Sequence, residues 1–139
     1  MNVLIVEARY HPTVADALLD GAVAALKTAG VQFERAAVPG VLEVPAAIAI
    51  ALRSSKPFDG FVALGSVTGP QHIADMFYGE TMRGLMALST AGVALGSGIV
   101  LAADEGAALD LSLTMDIGGN AVRACLALLV FGERLGFMP

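Results

Sequence analysis

The stretch Phe58-Asp59-Gly60-Phe61-Val62-Ala63-Leu64-Gly65-Ser66-Val67-Thr68-Gly69-Pro70-Gln71-His72-Ile73 and its continuation to Leu85 decide the fold. The apolar run Phe61 to Leu64 ends in a glycine-punctuated turn, Gly65 to Pro70. Apolar or small residues then recur at helical spacing, at Phe77, Thr81, Gly84/Leu85 and Leu88. A buried strand feeding through a turn into a helix is half of a βαβ unit. In open parallel sheets ligands bind just beyond the carboxyl ends of such strands. His72, one of two histidines, lies at the mouth of this helix and is therefore the first candidate for chemistry.

The same alternation extends outward. Asn2–Ala8 is a β-branched run and reads as a strand, broken by Arg9-Tyr10-His11-Pro12. Thr13 is expected to cap a helix from Val14 to about Ala29, with Asp16 in its first turn and Gly30 as its stop. A more polar strand, Val31–Val38, ends at Pro39-Gly40, and Pro45 suits the first turn of a helix to about Arg53. Beyond the strand Gly60–Leu64 and the helix Ile73–Thr90, Val93–Ala102 reads as a fourth strand. A short helix follows from Asp104/Glu105 to Met115. Gly118-Gly119-Asn120 is expected to separate it from a last helix, Ala121–Leu135. Four strand–helix alternations predict an α/β fold, a three-layer αβα sandwich with a four-stranded parallel, flavodoxin-like sheet.

Composition bounds the function. With 139 residues one domain, 1–139, is expected. The 56% apolar and 15% charged content implies heavy burial, with further apolar surface hidden between subunits. A net charge of −5 leaves no basic footprint for nucleic acid. No apolar run reaches the roughly 18–20 residues of a membrane span, and MNVLIVEARY lacks a basic n-region, so no leader is expected. The single cysteine fits a reducing compartment. The expectation is a cytoplasmic oligomer with no metal site.

Three loops follow strand ends and should share one sheet edge: Arg9-Tyr10-His11, Pro39 to Glu43, and Ser66 to His72. They offer an aromatic ring, a carboxylate beside a helix start, and backbone amides with an imidazole. Such a set suits a planar, hydroxyl-rich ligand, stacked on Tyr10 with hydroxyls donating to Glu43. Ser97 of the fourth strand is a further polar candidate for the same cavity. Each residue also has a purely structural reading: Tyr10 as a surface aromatic, Glu43 as a carboxylate favoured by the helix dipole, His72 as a solvated capping residue. His11 is expected to be exposed, and Cys125 to be a small core residue.

Three segments, LIVEARYH (4–11), VPGVLEVP (38–45) and FVALGSV (61–67), resemble the lumazine synthase family in order and spacing. That resemblance implies condensation of 5-amino-6-ribitylaminouracil with 3,4-dihydroxy-2-butanone 4-phosphate, in riboflavin biosynthesis, with no cofactor. It implies that Tyr10 stacks on the pyrimidine, that Val41, Leu42 and Glu43 hold the ring and ribityl chain, and that Ser66, Val67 and Thr68 bind the pyrimidine edge. It further implies phosphate contacts at Pro70 and Gln71, a proton-shuttling histidine after the third strand, and homopentamers, free or packed into icosahedral shells.

The third loop is one residue shorter than the family pattern G-x-V-I-R-G-E-T-x-H-F-D. A gap before Gly69 puts Ile73 in the histidine slot; a gap after Gly69 keeps His72 there but needs a compensating insertion before Asp75. Pro70 has no N–H to offer phosphate. The family's phosphate-clamping arginine falls in Asp110–Leu113, which has no basic residue, and its lysine slot is Ala121. Arg83 and Arg123 are the nearest cations in sequence. The expected function is therefore a divergent synthase, with a non-catalytic homologue that binds a pyrimidine, lumazine or flavin-like ligand, or an assembly protein, as the alternative.

Overall fold

The computed structural model describes residues 1–137. Along the chain run β1 (Asn2–Ala8), α1 (Pro12–Ala29), β2 (Gln32–Val38), a 3-10 turn (Val41–Glu43) leading into α2 (Val44–Leu52), β3 (Gly60–Val67), α3 (Gln71–Thr90), β4 (Leu95–Leu101), α4 (Glu105–Thr114) and α5 (Ile117–Arg134). The four strands form one sheet in the order β2-β1-β3-β4, every pair parallel. This is the expected α/β architecture.

Alternation along the strands sorts the core into two layers. Val3 and Ile5 of β1, with Val62 and Leu64 of β3, pack against Leu18, Ala22 and Leu26 of α1, Ala108 of α4 and Val122 and Cys125 of α5. Leu4, Val6, Phe61 and Ala63 point the other way, against Ile48 of α2 and Ala74 and Leu85 of α3. The central strand β3 is buried along its whole length. Both its faces carry apolar side chains, as a parallel strand covered by helices on both sides requires.

The structure moves several boundaries. β3 does not stop at Leu64 but runs to Val67, paired with β4 as far as Leu101. Gly65 is a strand residue, not a turn residue: a Cβ there would lie 2.8 Å from Val41 Cγ1 and 3.0 Å from Ala8 Cβ. The true turn is Thr68-Gly69-Pro70, where Gly69 takes φ +125°, open to glycine at little cost.

Helix α1 starts at Pro12, with His11 at its N-cap and no side-chain cap bond. Asp16 does not cap; it pairs with the Arg9 guanidinium. Gly118-Gly119-Asn120 likewise is no separator and lies in the first turn of α5. A Cβ on Gly118 would run into the Leu18 carbonyl oxygen, so that glycine lets α5 approach α1 closely. Gly96 does the same for β4 against the Ala121 carbonyl. Asp104 behaves as its position suggests, accepting from the Ala107 N–H at 2.8 Å to cap α4.

Among the described residues no single helix is long and apolar enough to cross a membrane; α4 and α5 reach that length only together, bent by 53°.

Candidate active site

Because β1, β2 and β3 are adjacent and parallel, their carboxyl ends face one edge, and the loops that follow them converge there. Between the loops lies a cavity of about 340 Å³. The loop after β1 contributes Tyr10 and His11. The segment after β2 contributes Gly40, Val41, Leu42 and Glu43. The end of β3 and its turn contribute Ser66, Val67 and Thr68, and one face of α3 contributes Ile73, Ala74 and Phe77. The last three sit at i, i+1 and i+4, neighbours on one side of a helix.

The wall is mainly apolar with a few convergent polar groups, as small-molecule sites usually are. Tyr10 is 75% exposed, which leaves its ring free to cover a planar partner. Its own anchor is an edge contact to the His11 ring, centroids 4.9 Å apart and planes at 80°. Val41 is buried, whereas Leu42 and Glu43 are exposed toward the opening. Glu43 stands directly before α2, where the helix N-terminus favours a carboxylate.

Seven residues singled out in the sequence therefore share this cavity: Tyr10, Val41, Leu42, Glu43, Ser66, Val67 and Thr68. Four others do not line it. Pro70 is the N-cap of α3 and Gln71 its first residue, both exposed; the wall begins one turn further, at Ile73. Ser97 pairs in register with Ala63, midway along β4 rather than at its carboxyl end, and its hydroxyl faces Met82 Sδ at 3.8 Å. His72 is exposed and outside the wall, with its neighbour Ile73 inside. The two side chains point about 100° apart, and here Ile73 enters the cavity while His72 does not.

His11 overturns its expected exposure. Its side chain is only 17% exposed, with Nε2 2.9 Å from Thr68 Oγ1 and Nδ1 3.6 Å from Glu105 Oε2. Sequence reasoning placed His11 in the right loop but gave it no partner. Its contacts come from the loop after β3 and the start of α4. The one hint in the sequence was its place beside Tyr10 at a strand end.

No lysine or arginine lines the cavity among the described residues. Arg9 is engaged by Asp16 and Glu7, whose carboxylates, Asp16 foremost, hold its pKa above the ordinary value. Arg83 pairs with Glu80 at 2.6 Å, and Arg123 with Asp116 at 2.7 Å. Cys125 is fully buried beneath β4, and burial pushes its thiol up to about 11, the state of a core residue rather than a nucleophile.

Comparison with known proteins agrees with this geometry. The family described as 6,7-dimethyl-8-ribityllumazine synthase matches residues 1–132. A protein of that name from Novosphingobium aromaticivorans is 46% identical over 134 residues, covering 94% of this chain and 96% of its own. One from Sphingopyxis alaskensis is 44% identical over 138 residues, 97% of each. The 6,7-dimethyl-8-ribityllumazine synthase 1 of Rhizobium meliloti is 44% identical over 144 residues, 98% of this chain and 94% of the relative. The family match spans the three loops that build the cavity and nearly the whole fold that holds them, and with relatives of 44–46% identity over most of the chain the chain belongs to the 6,7-dimethyl-8-ribityllumazine synthase family.

Proposed function

We propose that this protein is a 6,7-dimethyl-8-ribityllumazine synthase, condensing 5-amino-6-ribitylaminouracil with 3,4-dihydroxy-2-butanone 4-phosphate in the cavity described above. The observation that carries the reading is the convergence of Tyr10, Val41, Leu42, Glu43, Ser66, Val67 and Thr68 on that one cavity.

Tyr10 covers the face of the pyrimidine. Backbone groups of Ser66–Thr68 take its edge, and the Glu43 carboxylate accepts hydrogen bonds from ribityl hydroxyls. Val41 and Leu42 exclude water from the ring. Holding two reactive substrates together is itself a large part of such catalysis, since proximity can be worth about 7–11 kcal/mol.

The protein acts as a cytoplasmic pentamer, alone or within a larger shell. Support comes from large apolar side chains left uncovered on several helices, among them Ile50 at 70%, Met76 at 68% and Leu113 at 62% exposure. Among the described residues the cavity wall presents no charge-assisted donor for a phosphate. That missing charge is also the observation favouring a second reading, a homologue that binds the pyrimidine or lumazine without turnover.

Lumazine formation from the two substrates by purified protein separates the readings. A rate above the spontaneous reaction supports the synthase; binding without acceleration supports the second reading. Light scattering at micromolar concentration tests the assembly, which a monomer would refute.

A further inference from the structure

We propose that His11 is the proton-transfer residue of this site, oriented by Glu105 and coupled to the cavity through the Thr68 hydroxyl. The inference rests on the synthase reading and assigns a step of that reaction to a residue that sequence position alone did not suggest. Of the two histidines, His11 lines the cavity and His72 does not.

Three side chains from three segments meet here: His11 after β1, Thr68 after β3 and Glu105 at the start of α4. Glu105 Oε2 stands 3.6 Å from Nδ1, too long for a direct hydrogen bond, and the tautomer with Nδ1–H turns its proton toward that carboxylate. Nε2 is then the free base, and it accepts from the Thr68 hydroxyl at 2.9 Å. A base held by one polar group and oriented by a carboxylate on its far side is the general arrangement for an activated proton acceptor. The edge contact with Tyr10 places the imidazole beside the ring that covers the pyrimidine.

The step is phosphate loss from the imine formed between the two substrates. The Thr68 oxygen takes the proton from the carbon bearing the hydroxyl as its own hydroxyl proton passes to His11 Nε2. The C–H electron pair becomes a carbon–carbon double bond to the neighbouring CH2, and the C–O pair leaves with phosphate. The resulting enol becomes a ketone as the imidazolium returns its proton through the Thr68 hydroxyl to the terminal carbon, making a methyl group. The enol hydroxyl proton goes to the departing phosphate, which leaves as monohydrogen phosphate. Proton, electron pairs and charge balance with no outside reagent.

The test compares His11→Ala, His11→Gln and Glu105→Gln with the wild type, using lumazine formation from both substrates. His11 caps α1 without a side-chain bond and Glu105 is exposed, so neither change removes a helix cap. Folding is checked by circular dichroism. His11→Ala and His11→Gln should lower kcat by about 10²–10³-fold, the range of general acid–base help, with KM for the pyrimidine within a few-fold. Added imidazole should restore part of the His11→Ala rate, which a structural role would not permit. Glu105→Gln should lower kcat several-fold with the same KM. Either His11 variant turning over like the wild type, or losing only KM, overturns the assignment while leaving the synthase reading intact. A wild type that forms no lumazine above the spontaneous rate overturns both.

Discussion

The His11 imidazole and the Thr68 hydroxyl, 57 positions apart in the chain, meet at 2.9 Å across the mouth of the cavity. The bond ties the loop after β1 to the turn after β3, two neighbouring segments of the cavity wall. Thr68→Val keeps the shape and removes the hydroxyl. It should cost about 0.5–1.5 kcal/mol in urea unfolding, the usual net worth of one hydrogen bond. It should also lower kcat by about tenfold, equivalent to roughly 1.4 kcal/mol of barrier. Thr68→Ser should preserve both, and a loss in Ser with none in Val would point to packing of the methyl group instead.

The neighbouring positions His72 and Ile73 make a sharper comparison. Ile73 faces the cavity and His72 is exposed outside its wall. Ile73→His puts a second imidazole against the substrates and should raise kcat severalfold. His72→Ala should turn over within about twofold of wild type, because its direction differs by about 100°. A large kcat loss in His72→Ala would return proton transfer to that histidine.

Tyr10 and Glu43, both in the cavity wall, should bear on binding rather than turnover. Tyr10→Ala should weaken an analogue of the ribitylaminouracil by about 0.5–1.5 kcal/mol beyond the area lost, as stacking contacts do. Glu43→Gln should weaken it through loss of a charged acceptor, with the fold unchanged. Calorimetry on both variants checks this; affinities equal to wild type would remove these residues from the site.

Cys125 offers a pH test of the core. Burial pushes its thiol from 9.0 to about 11. The unfolded chain therefore ionises this group as pH rises past 9, whereas the folded chain holds it neutral. The stability it supports is fully present below pH 9 and is lost progressively up to about 11. Between pH 8 and pH 10 the wild type should lose roughly 1–1.5 kcal/mol more than Cys125→Ala in urea unfolding, at about 1.4 kcal/mol per unit. Parallel curves for the two proteins would show that the thiol is not shielded as its burial implies.

What was legible in the sequence follows from range. β1 could be read to the residue, since an apolar run bounded by Arg9-Tyr10-His11-Pro12 carries its own limits. The carboxyl-edge cluster of loops followed from alternation alone, and most of the cavity wall with it. Glycine misled at two places where it serves packing: Gly65 beside Val41 and Ala8, and Gly118 beside Leu18. A missing side chain reads as a turn locally, and only the partner element shows otherwise. The choice between His72 and Ile73 needed the start and rotation of α3, which a one-residue difference in loop length changes. His11 required Thr68 and Glu105, partners that no local pattern connects.

The cavity wall carries no lysine or arginine among the described residues, so turnover is the property to measure. The measurement is the initial rate of 6,7-dimethyl-8-ribityllumazine formation from 5-amino-6-ribitylaminouracil and 3,4-dihydroxy-2-butanone 4-phosphate, with and without purified protein at pH 7. The expected result is a rate proportional to protein concentration, well above the spontaneous reaction and saturating in both substrates. A rate equal to the spontaneous one at every protein concentration would contradict it.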